Sequence, residues 1–254
     1  MRVIAYSKTG LYINVPVHIS SKSWLITVNS TRYNCRVDNT VGSLTQLQRS
    51  IIIGTLLGDG YLRIVPRRKN AFLEINHSYS QKEYVDWMFE MLKSICKSGP
   101  KMRNGNGHRI AYRFTTRQMP EITELFRKFY ANGKKLIPSN LKLDPIMLAV
   151  WFMDDGSKCG TSSVYFNTQQ FNARDQEKRM QMLSDLGIES GLNKDKEYWR
   201  VRIKASSMQK LFSLVSPHII PSMTYKLGYN PVETYSLRSR VVARATANTP
   251  LPFG

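Results

Sequence analysis

Two aspartates carry the chemistry that the sequence indicates most strongly. Asp59 and Asp155 each follow an apolar stretch with helical spacing, and each precedes a glycine. A carboxylate at the C-terminus of a helix is unfavourable, because the carbonyl end already carries partial negative charge. Two such ends side by side would gather carboxylate and carbonyl oxygens, which are ligands of hard cations such as Mg²⁺. The repetition indicates a shared metal site rather than two ordinary Asp-Gly turns.

The residues beside these aspartates complete the predicted site. Gly58 is expected to offer a carbonyl oxygen to the metal. Asp154 is a direct ligand, a carbonyl donor, or an acid that hydrogen-bonds to the ligands. Gly60 and Gly156 are expected to end the two helices in the left-handed conformation. Because Gly54 and Gly58 lie four residues apart, a second helix is expected to approach closely there.

The charge of the chain predicts a polyanionic partner. The sequence has 37 Lys and Arg against 18 Asp and Glu, a net charge of +19. Such an excess is typical of proteins that bind nucleic acid. The basic residues are spread through predicted strands, whereas a protein that binds a membrane surface would show a basic amphipathic helix or a polybasic tail. Nucleic acid is therefore the expected partner.

The apolar segments are too short for a membrane protein. No apolar run approaches the roughly 18 residues that a membrane-spanning helix needs. We therefore expect a soluble protein inside a cell, either in an organelle matrix (mitochondrion or chloroplast) or in a prokaryotic cytoplasm. A short transit peptide remains open, because the first 24 residues contain basic and hydroxyl side chains and no acid.

The order of predicted elements occurs twice, at a period near 95 residues. Each copy begins with an apolar helix that ends in Asp-Gly, continues through basic strands and a second helix, and closes near an Ile-Pro pair and a lysine. The predicted helices are 44–57, 82–97, one from Pro120, 145–153, 175–186 and 208–215, and the clearest strands are 61–65, 71–76, 109–117, 163–171 and 198–205. Two similar halves about a pseudo-two-fold axis suit duplex DNA.

Four segments follow from this repeat. Residues 1–43 read as short strands and form an N-terminal β extension, which either contacts DNA or packs on the rest of the protein. The first half is 44–140 and the second is 141–235. The basic tail 236–254 either contacts phosphate or is disordered.

Several strands alternate basic or polar side chains with apolar ones, which predicts a sheet with one core face and one face toward DNA. Arg, Asn and Gln can read base edges in the major groove. The basic turn between the first two strands is expected to clamp phosphate. The alternative is a half-exposed sheet that basic residues merely keep in solution. The expected DNA-binding residues are Arg63, Arg67, Arg68, Lys69, Asn76, Arg109, Arg113, Arg117, Asn167, Arg200, Arg202 and Lys204.

Two nonapeptides carry a resemblance to a known family. IIGTLLGDG, residues 52–60, and LAVWFMDDG, residues 148–156, resemble the paired signature motifs of single-chain LAGLIDADG homing endonucleases. The segments KKLIPSNL, VYFNTQQF and IIPSMTYKL are similar to the family in order and spacing. The resemblance covers about residues 44–230.

The resemblance implies an α+β fold of two pseudo-symmetric αββαββα halves, whose antiparallel, saddle-shaped sheets lie on DNA. It implies a monomer, encoded in an intron, that uses Mg²⁺ or Mn²⁺ to cut both strands of double-stranded DNA at a long site. Asp59 and Asp155 match the catalytic, metal-binding acids, and Lys135 and Lys226 match the basic residues near each site. Polar side chains that hold active-site water are implied at Asn76, Ser78, Asn167 and Gln169.

A second function is compatible with the same fold. Some relatives are splicing maturases, which bind the host intron RNA and cleave DNA little or not at all. Because both acids and both lysines are present, the nuclease is favoured.

The two halves also differ where strict symmetry would require identity. Val150 and Asp154 stand where the first motif has Gly54 and Gly58. Lys226 follows its Ile-Pro pair, whereas the first lysine precedes its own. The two active sites are therefore expected to cut the two DNA strands at different rates.

Overall fold

The computed structural model describes two compact units, residues 1–43 and 44–254. It describes the backbone of residues 2–6, 12–16, 24–28, 31–35 and 159, and the backbone and side chains of residues 44–105, 110–158 and 163–227. In the first unit, strand β1 (Arg2–Tyr6) pairs antiparallel with β2 (Tyr12–Pro16), and β3 (Trp24–Val28) with β4 (Thr31–Cys35). These two hairpins confirm the predicted strands of the N-terminal extension.

The first half of the second unit follows the order αββαββα. Its elements are α1 (Gln46–Leu57), β5 (Tyr61–Ile64), β6 (Ala71–Ser78), α2 (Lys82–Leu92), β7 (Lys101–Asn104), β8 (Ile110–Thr115) and α3 (Pro120–Phe129). The strands form an antiparallel sheet in the order β5-β6-β8-β7. A short ladder, β9 (Tyr130–Ala131) with β10 (Lys134–Lys135), leads to the second half.

The second half repeats this order and confirms the predicted duplication. Its elements are α4 (Pro145–Asp155), β11 (Gly156–Cys159), β12 (Ser163–Phe166), α5 (Ala173–Asp185), β13 (Ser190–Asp195), β14 (Tyr198–Ile203) and α6 (Met208–Val215). The sheet order β11-β12-β14-β13 matches that of the first half strand for strand. A 3-10 stretch, Pro221–Leu227, closes the described chain. Among the described residues, no helix is long and apolar enough to cross a bilayer.

Helices α1 and α4 pack against each other at the centre of the second unit. Every residue of α1 from Ser50 to Leu57 is buried, as is 147–153 of α4. Because they are apolar all round, both helices need protein on every side. A capping box between Thr45 and Gln48 begins α1, and the Asp144 carboxylate caps α4 ahead of a proline.

Larger side chains of α4 pack directly against glycines of α1. A Cβ on Gly54 would lie 2.7 Å from the Val150 Cβ, and one on Gly58 would lie 2.5 Å from the Asp154 Cβ. The predicted close approach is therefore confirmed. The differences between the two motifs are complementary, because each larger side chain in α4 occupies space that a glycine leaves in α1.

The predicted left-handed helix caps at Gly60 and Gly156 are wrong. Of the described glycines, positive φ occurs at Gly133 and Gly187 only, and Gly156 has φ −63°. The motif glycines are instead required by close contact within their own helix ends. A Cβ on Gly60 would lie 2.7 Å from Thr55 Cγ2, and one on Gly156 would lie 2.4 Å from the Phe152 carbonyl oxygen.

Candidate active site

The two motif aspartates lie in unlike surroundings. Asp59 follows the end of α1, and its side chain is 50% exposed. Asp155 is the last residue of α4 and only 5% exposed, and its Oδ2 accepts a hydrogen bond from Trp151 Nε1 at 3.1 Å. Burial, with the nearby charges of Asp154 and Asp59, raises the pKa of Asp155 to about 8. One acid faces solvent and the other is held inside the protein.

The Asp154 carboxylate pins the two motif helices together. Its Oδ1 accepts from the Tyr84 hydroxyl at 2.7 Å, and its Oδ2 accepts from Thr55 Oγ1 at 2.8 Å and from the Asp59 backbone N–H at 3.2 Å. Burial raises the pKa of Asp154. This side chain from the second half therefore holds the chain on either side of the first motif's C-terminus.

His77 lies beside this pair and was missed by the sequence analysis. It is on the core face of β6, with its Nδ1 3.8 Å from Asp59 Oδ2 and its Nε2 3.9 Å from Asp154 Oδ1. Gln81 Oε1 lies 3.1 Å from the same Nδ1. The three side chains can offer ligand atoms that all lie within 4.8 Å of one another. The sequence did contain a sign of it, because His77 follows Leu73 and Ile75 at alternate positions of β6 and so falls on the apolar face.

The two predicted lysines lie at the helix ends, each against its own half's motif. Lys135 Nζ donates to the Gly58 and Gly60 carbonyl oxygens at 2.7 and 2.8 Å. Lys226 Nζ donates to the Met153 carbonyl oxygen and, at 2.9 Å, to that of Asp154. Both lysines therefore contact the carbonyl oxygen just before the motif aspartate, at Gly58 and Asp154, but their second contacts differ. The carbonyl oxygens of Gly58 and Asp154, expected to face a metal, accept from these ammonium groups.

The lysines supply the positive charge that the acidic helix ends need. Burial lowers the pKa of Lys135 to about 8, against the opposing influence of Asp155, its strongest carboxylate neighbour. Burial likewise lowers the pKa of Lys226, with Asp154 foremost among the carboxylates that oppose the change. The centre of the unit therefore holds three carboxylates and two ammonium groups, largely out of water.

A buried arginine from the second half also reaches the centre, and the sequence analysis missed it. Arg179 Nη2 donates to the Leu57 carbonyl oxygen at 3.2 Å, and its guanidinium carbon lies 3.5 Å from the centre of the Phe171 ring. Burial lowers the pKa of Arg179 to about 9, and the charge of Asp155 opposes this most strongly. Its Nε and Nη1 have no hydrogen-bond partner among the described residues.

The predicted DNA-binding residues of the first half lie mainly on the open face of its sheet. Asn76 pairs with Arg113 across β6 and β8, and the Arg113 guanidinium lies 3.4 Å from Glu74 Oε1. The basic turn is exposed, and its first residue, Arg67, has a left-handed backbone at φ 65°. Exposed residues in this half are Arg63, Arg67, Arg68, Lys69, Asn76 and Arg117, whereas Arg109 lies outside the described residues.

The second sheet presents a similar basic face. Arg202 and Lys204 are exposed, and Arg202 Nη2 donates to Ser163 Oγ at 3.1 Å. The guanidinium carbon of Arg200 lies 4.2 Å from the centre of the Tyr165 ring, and its Nη1 lies 3.5 Å from Asp195 Oδ2.

Polar side chains on both sheets make contacts within the protein. Gln169, expected to hold active-site water, donates to Asp195 Oδ2 at 3.3 Å. Asn167 Oδ1 accepts from Ser157 Oγ at 3.5 Å, and Ser78 Oγ accepts from Ser80 at 3.1 Å. The sequence analysis did not anticipate the carboxylates that restrain these sheets.

Comparisons with known proteins agree with this geometry. The model of the LAGLIDADG DNA endonuclease family matches residues 49–211. The cytochrome b mRNA maturase bI2 of Saccharomyces cerevisiae is 30% identical over 83% of this chain, which spans 54% of that relative. The probable intron-encoded endonuclease 1 of Wickerhamomyces canadensis is 29% identical over 74% of this chain and 87% of its own length. The solved structure of the homing endonuclease I-WcaI, bound to its DNA recognition sequence, has a TM-score of 0.69 at 27% identity and covers 74% of this chain and 88% of its own.

Proposed function

The chain belongs to the LAGLIDADG DNA endonuclease family, and from that premise we propose that it is an intron-encoded homing endonuclease. It recognises a long site in double-stranded DNA as a monomer and breaks both strands by metal-dependent phosphodiester hydrolysis. The observation that supports this most is the meeting of two acidic helix ends with the half-buried Lys135 and the buried Lys226, in a protein whose paired sheets carry arginines on their open faces.

The donor set at the helix ends fits a divalent cation. Asp59 offers a half-exposed carboxylate, and Asp155 is the acid in the equivalent position of the second motif. We assign these two acids to Mg²⁺ binding, with Mn²⁺ able to replace it, because carboxylate oxygens are hard ligands that suit both ions. When bound, such an ion lowers the pKa of water and neutralises charge on the phosphate.

The other central residues position the acids and supply fixed charge. Lys135 and Lys226 occupy the helix-end carbonyl oxygens and place ammonium charge where negative charge develops on a phosphate. Asp154 fixes the backbone at Asp59, and Arg179 fixes the end of α1. Because this support differs between the halves, the two strands are cut at different rates.

The two sheets hold the DNA. Their open faces present arginine, asparagine and glutamine, the side chains that can pair with base edges in the major groove. Glu74 and Asp195 hold Arg113 and Arg200 against the sheet, which reduces the side-chain entropy lost on binding. The exposed turn at Arg67 has the backbone and charge of a phosphate clamp.

Binding of intron RNA is a second candidate function, favoured by the similarity to a cytochrome b mRNA maturase. If the chain is a maturase alone, it binds its intron RNA and promotes splicing without cutting DNA. The shared fold does not separate these functions, so cleavage has to be measured.

The test is incubation of the full chain with Mg²⁺ and a plasmid library of intron-less alleles. We expect discrete double-strand breaks that pass through a nicked intermediate, because one strand is cut first. Asp59→Asn and Asp155→Asn should abolish cleavage and retain binding, whereas Asp185→Asn, which changes an exposed acid on α5, should cut like the wild type. Cleavage at the wild-type rate by both motif variants would refute the assignment, and specific RNA binding without cleavage would favour the maturase.

A further inference from the structure

Asp59, which the proposed Mg²⁺ chemistry uses, also belongs to a mixed nitrogen and oxygen cluster with His77 and Asp154, and that chemistry does not require the histidine. Carboxylates and water suit Mg²⁺, whereas imidazole suits the transition metals. His77 is therefore the group whose presence needs a separate explanation. Its side chain is 4% exposed, and it lies between the two carboxylates.

The imidazole is oriented as a metal ligand would be. With its proton on Nδ1, His77 donates to Gln81 Oε1 at 3.1 Å, which leaves the lone pair on Nε2. Ligating histidines usually donate their second ring nitrogen in this way. The carboxylate nearest to Nε2 is Asp154, whose Oδ1 lies 3.9 Å away, beyond hydrogen-bonding distance. The Nε2 lone pair therefore lies beside a carboxylate, with no hydrogen bond between the two groups.

The distances suit a shared ion. Two ligand atoms bound at about 2.1 Å lie roughly 3.0 Å apart when adjacent in an octahedron and roughly 4.2 Å apart when opposite. The 3.9 Å between Nε2 and Asp154 Oδ1 is below the largest separation that two ligand atoms of one ion can have. The ligand atoms that the three residues can offer lie within 4.8 Å of one another, so any pair farther apart than about 4.2 Å must move closer to surround one ion.

The second half has no equivalent group. In the first half, Tyr61 follows the motif glycine and pairs with Glu74, and His77 lies three residues after Glu74. In the second half, Ser157 follows the motif glycine and pairs with Tyr165, and Thr168 lies three residues after Tyr165. Thr168 is therefore the positional equivalent of His77. The Thr168 hydroxyl contacts the Phe166 carbonyl oxygen and accepts from the Val201 backbone N–H. A threonine has no nitrogen donor atom, so at this position the cluster is specific to the first half.

We propose that Asp59, His77 and Asp154 form a cation site with one nitrogen ligand, which binds Co²⁺, Zn²⁺ or Mn²⁺ in preference to Mg²⁺. This goes beyond the proposed function, because it concerns metal selectivity in the protein without DNA. A nitrogen ligand strengthens binding along the series from Mn²⁺ towards Zn²⁺ and adds little for Mg²⁺. The first motif would then bind its metal ion with higher affinity than the second.

The experiment is calorimetric titration of the full chain with Co²⁺ and with Mg²⁺, in the absence of DNA. We expect His77→Gln to weaken the tightest Co²⁺ binding by about tenfold or more and to change Mg²⁺ binding little. His218→Gln is the matched control, since it removes a histidine near Asp144 and away from the cluster. Unchanged Co²⁺ affinity in His77→Gln, or equal losses for both metals, would overturn the proposal.

A second measurement uses the wild-type chain and does not depend on how the variant folds. Spin-echo EPR of one equivalent of bound Mn²⁺ should show nitrogen coupling from a coordinated imidazole. Oxygen-only coordination would exclude His77 as a ligand. Neither readout needs DNA cleavage, so a chain that binds the metal through His77 but cuts no DNA would retain this inference and lose the proposed function.

Discussion

Asp59 and Asp155 occupy equivalent places in the two motifs but have unlike surroundings. Asp59 is half exposed beside His77, whereas Asp155 is buried and accepts a hydrogen bond from the indole of Trp151. The sequence singled out both acids as candidates, because an Asp-Gly pair after an apolar helix is a local pattern. Their burial depends on residues far away in the chain, such as Arg179, which local patterns do not identify.

Two of the central residues were still detectable in principle. His77 follows Leu73 and Ile75 at alternate positions of β6, and Arg179 shares the buried face of α5 with Met182 and Leu183. A polar side chain in an apolar register is a sign of a special environment. Asp154 beside His77 and the Leu57 carbonyl oxygen bound by Arg179 cannot be named from a local pattern, because each comes from the other half of the molecule.

The buried state of Asp155 predicts how stability depends on pH. Burial raises its pKa from 3.8 to about 8, so between these values the native chain retains a proton that the unfolded chain has released. The free energy of unfolding therefore falls as pH rises through this window. In the absence of metal, Asp155→Asn should not show this decrease. Its free energy of unfolding relative to that of the wild type should rise by about 2 kcal/mol or more between pH 4 and pH 8.

Urea denaturation in a chelating buffer at several pH values measures this difference. Asp185→Asn, which changes an exposed acid, should follow the wild type throughout. If the advantage of Asp155→Asn over the wild type is the same at pH 4 and pH 8, the carboxyl group is already ionised in the native protein.

At the scale of elements, the central feature is the fit between α1 and α4. Both helices were predicted from apolar spacing, and their close approach from Gly54 and Gly58. Strands β7 and β13 were not predicted from their own residues. They are edge strands, β7 is exposed throughout and no residue of β13 is buried, so neither has a core face. Edge strands are specified by the neighbour with which they pair, which a local pattern does not contain.

The contact between α1 and α4 predicts which glycine is indispensable. Gly54→Ala places a methyl group 2.7 Å from both the Met147 carbonyl oxygen and the Val150 Cβ, where backbone cannot move aside easily. We expect a loss of about 1–3 kcal/mol in the free energy of unfolding, as for overpacked cores. Chemical denaturation should show Gly191→Ala near the wild type, because a methyl group there meets nothing within 4 Å.

A compensating variant tests whether this cost comes from the helix contact. Combining Gly54→Ala with Val150→Gly removes the Val150 Cβ that the new methyl group meets at 2.7 Å, so the two effects should not add. Strict additivity would mean that the loss does not come from contact with the Val150 side chain.

At the scale of the whole molecule, the net charge of +19 and the two basic sheets predict binding that depends strongly on salt. The side chains that contribute should be those on the open faces of β5, β8 and β14, not the equally basic residues on the helices. Arg202 on β14 and Arg127 on α3 are both exposed arginines, and they differ in the face on which they lie. They form a matched pair for locating the DNA.

Arg202→Ala should weaken binding to the target duplex and reduce the slope of log affinity against log salt by about 1 if the guanidinium contacts one phosphate. If it pairs with a base instead, the affinity falls by about 1–3 kcal/mol at that target while binding to unrelated duplexes changes little. Arg127→Ala should leave both quantities unchanged, because removing one of many like charges far from the DNA alters only a screened field. Fluorescence anisotropy at several salt concentrations separates these outcomes. Equal losses of affinity in the two variants would mean that the protein attracts DNA through its total charge. A loss of affinity in Arg127→Ala alone would mean that the DNA binds on the helical side of the protein.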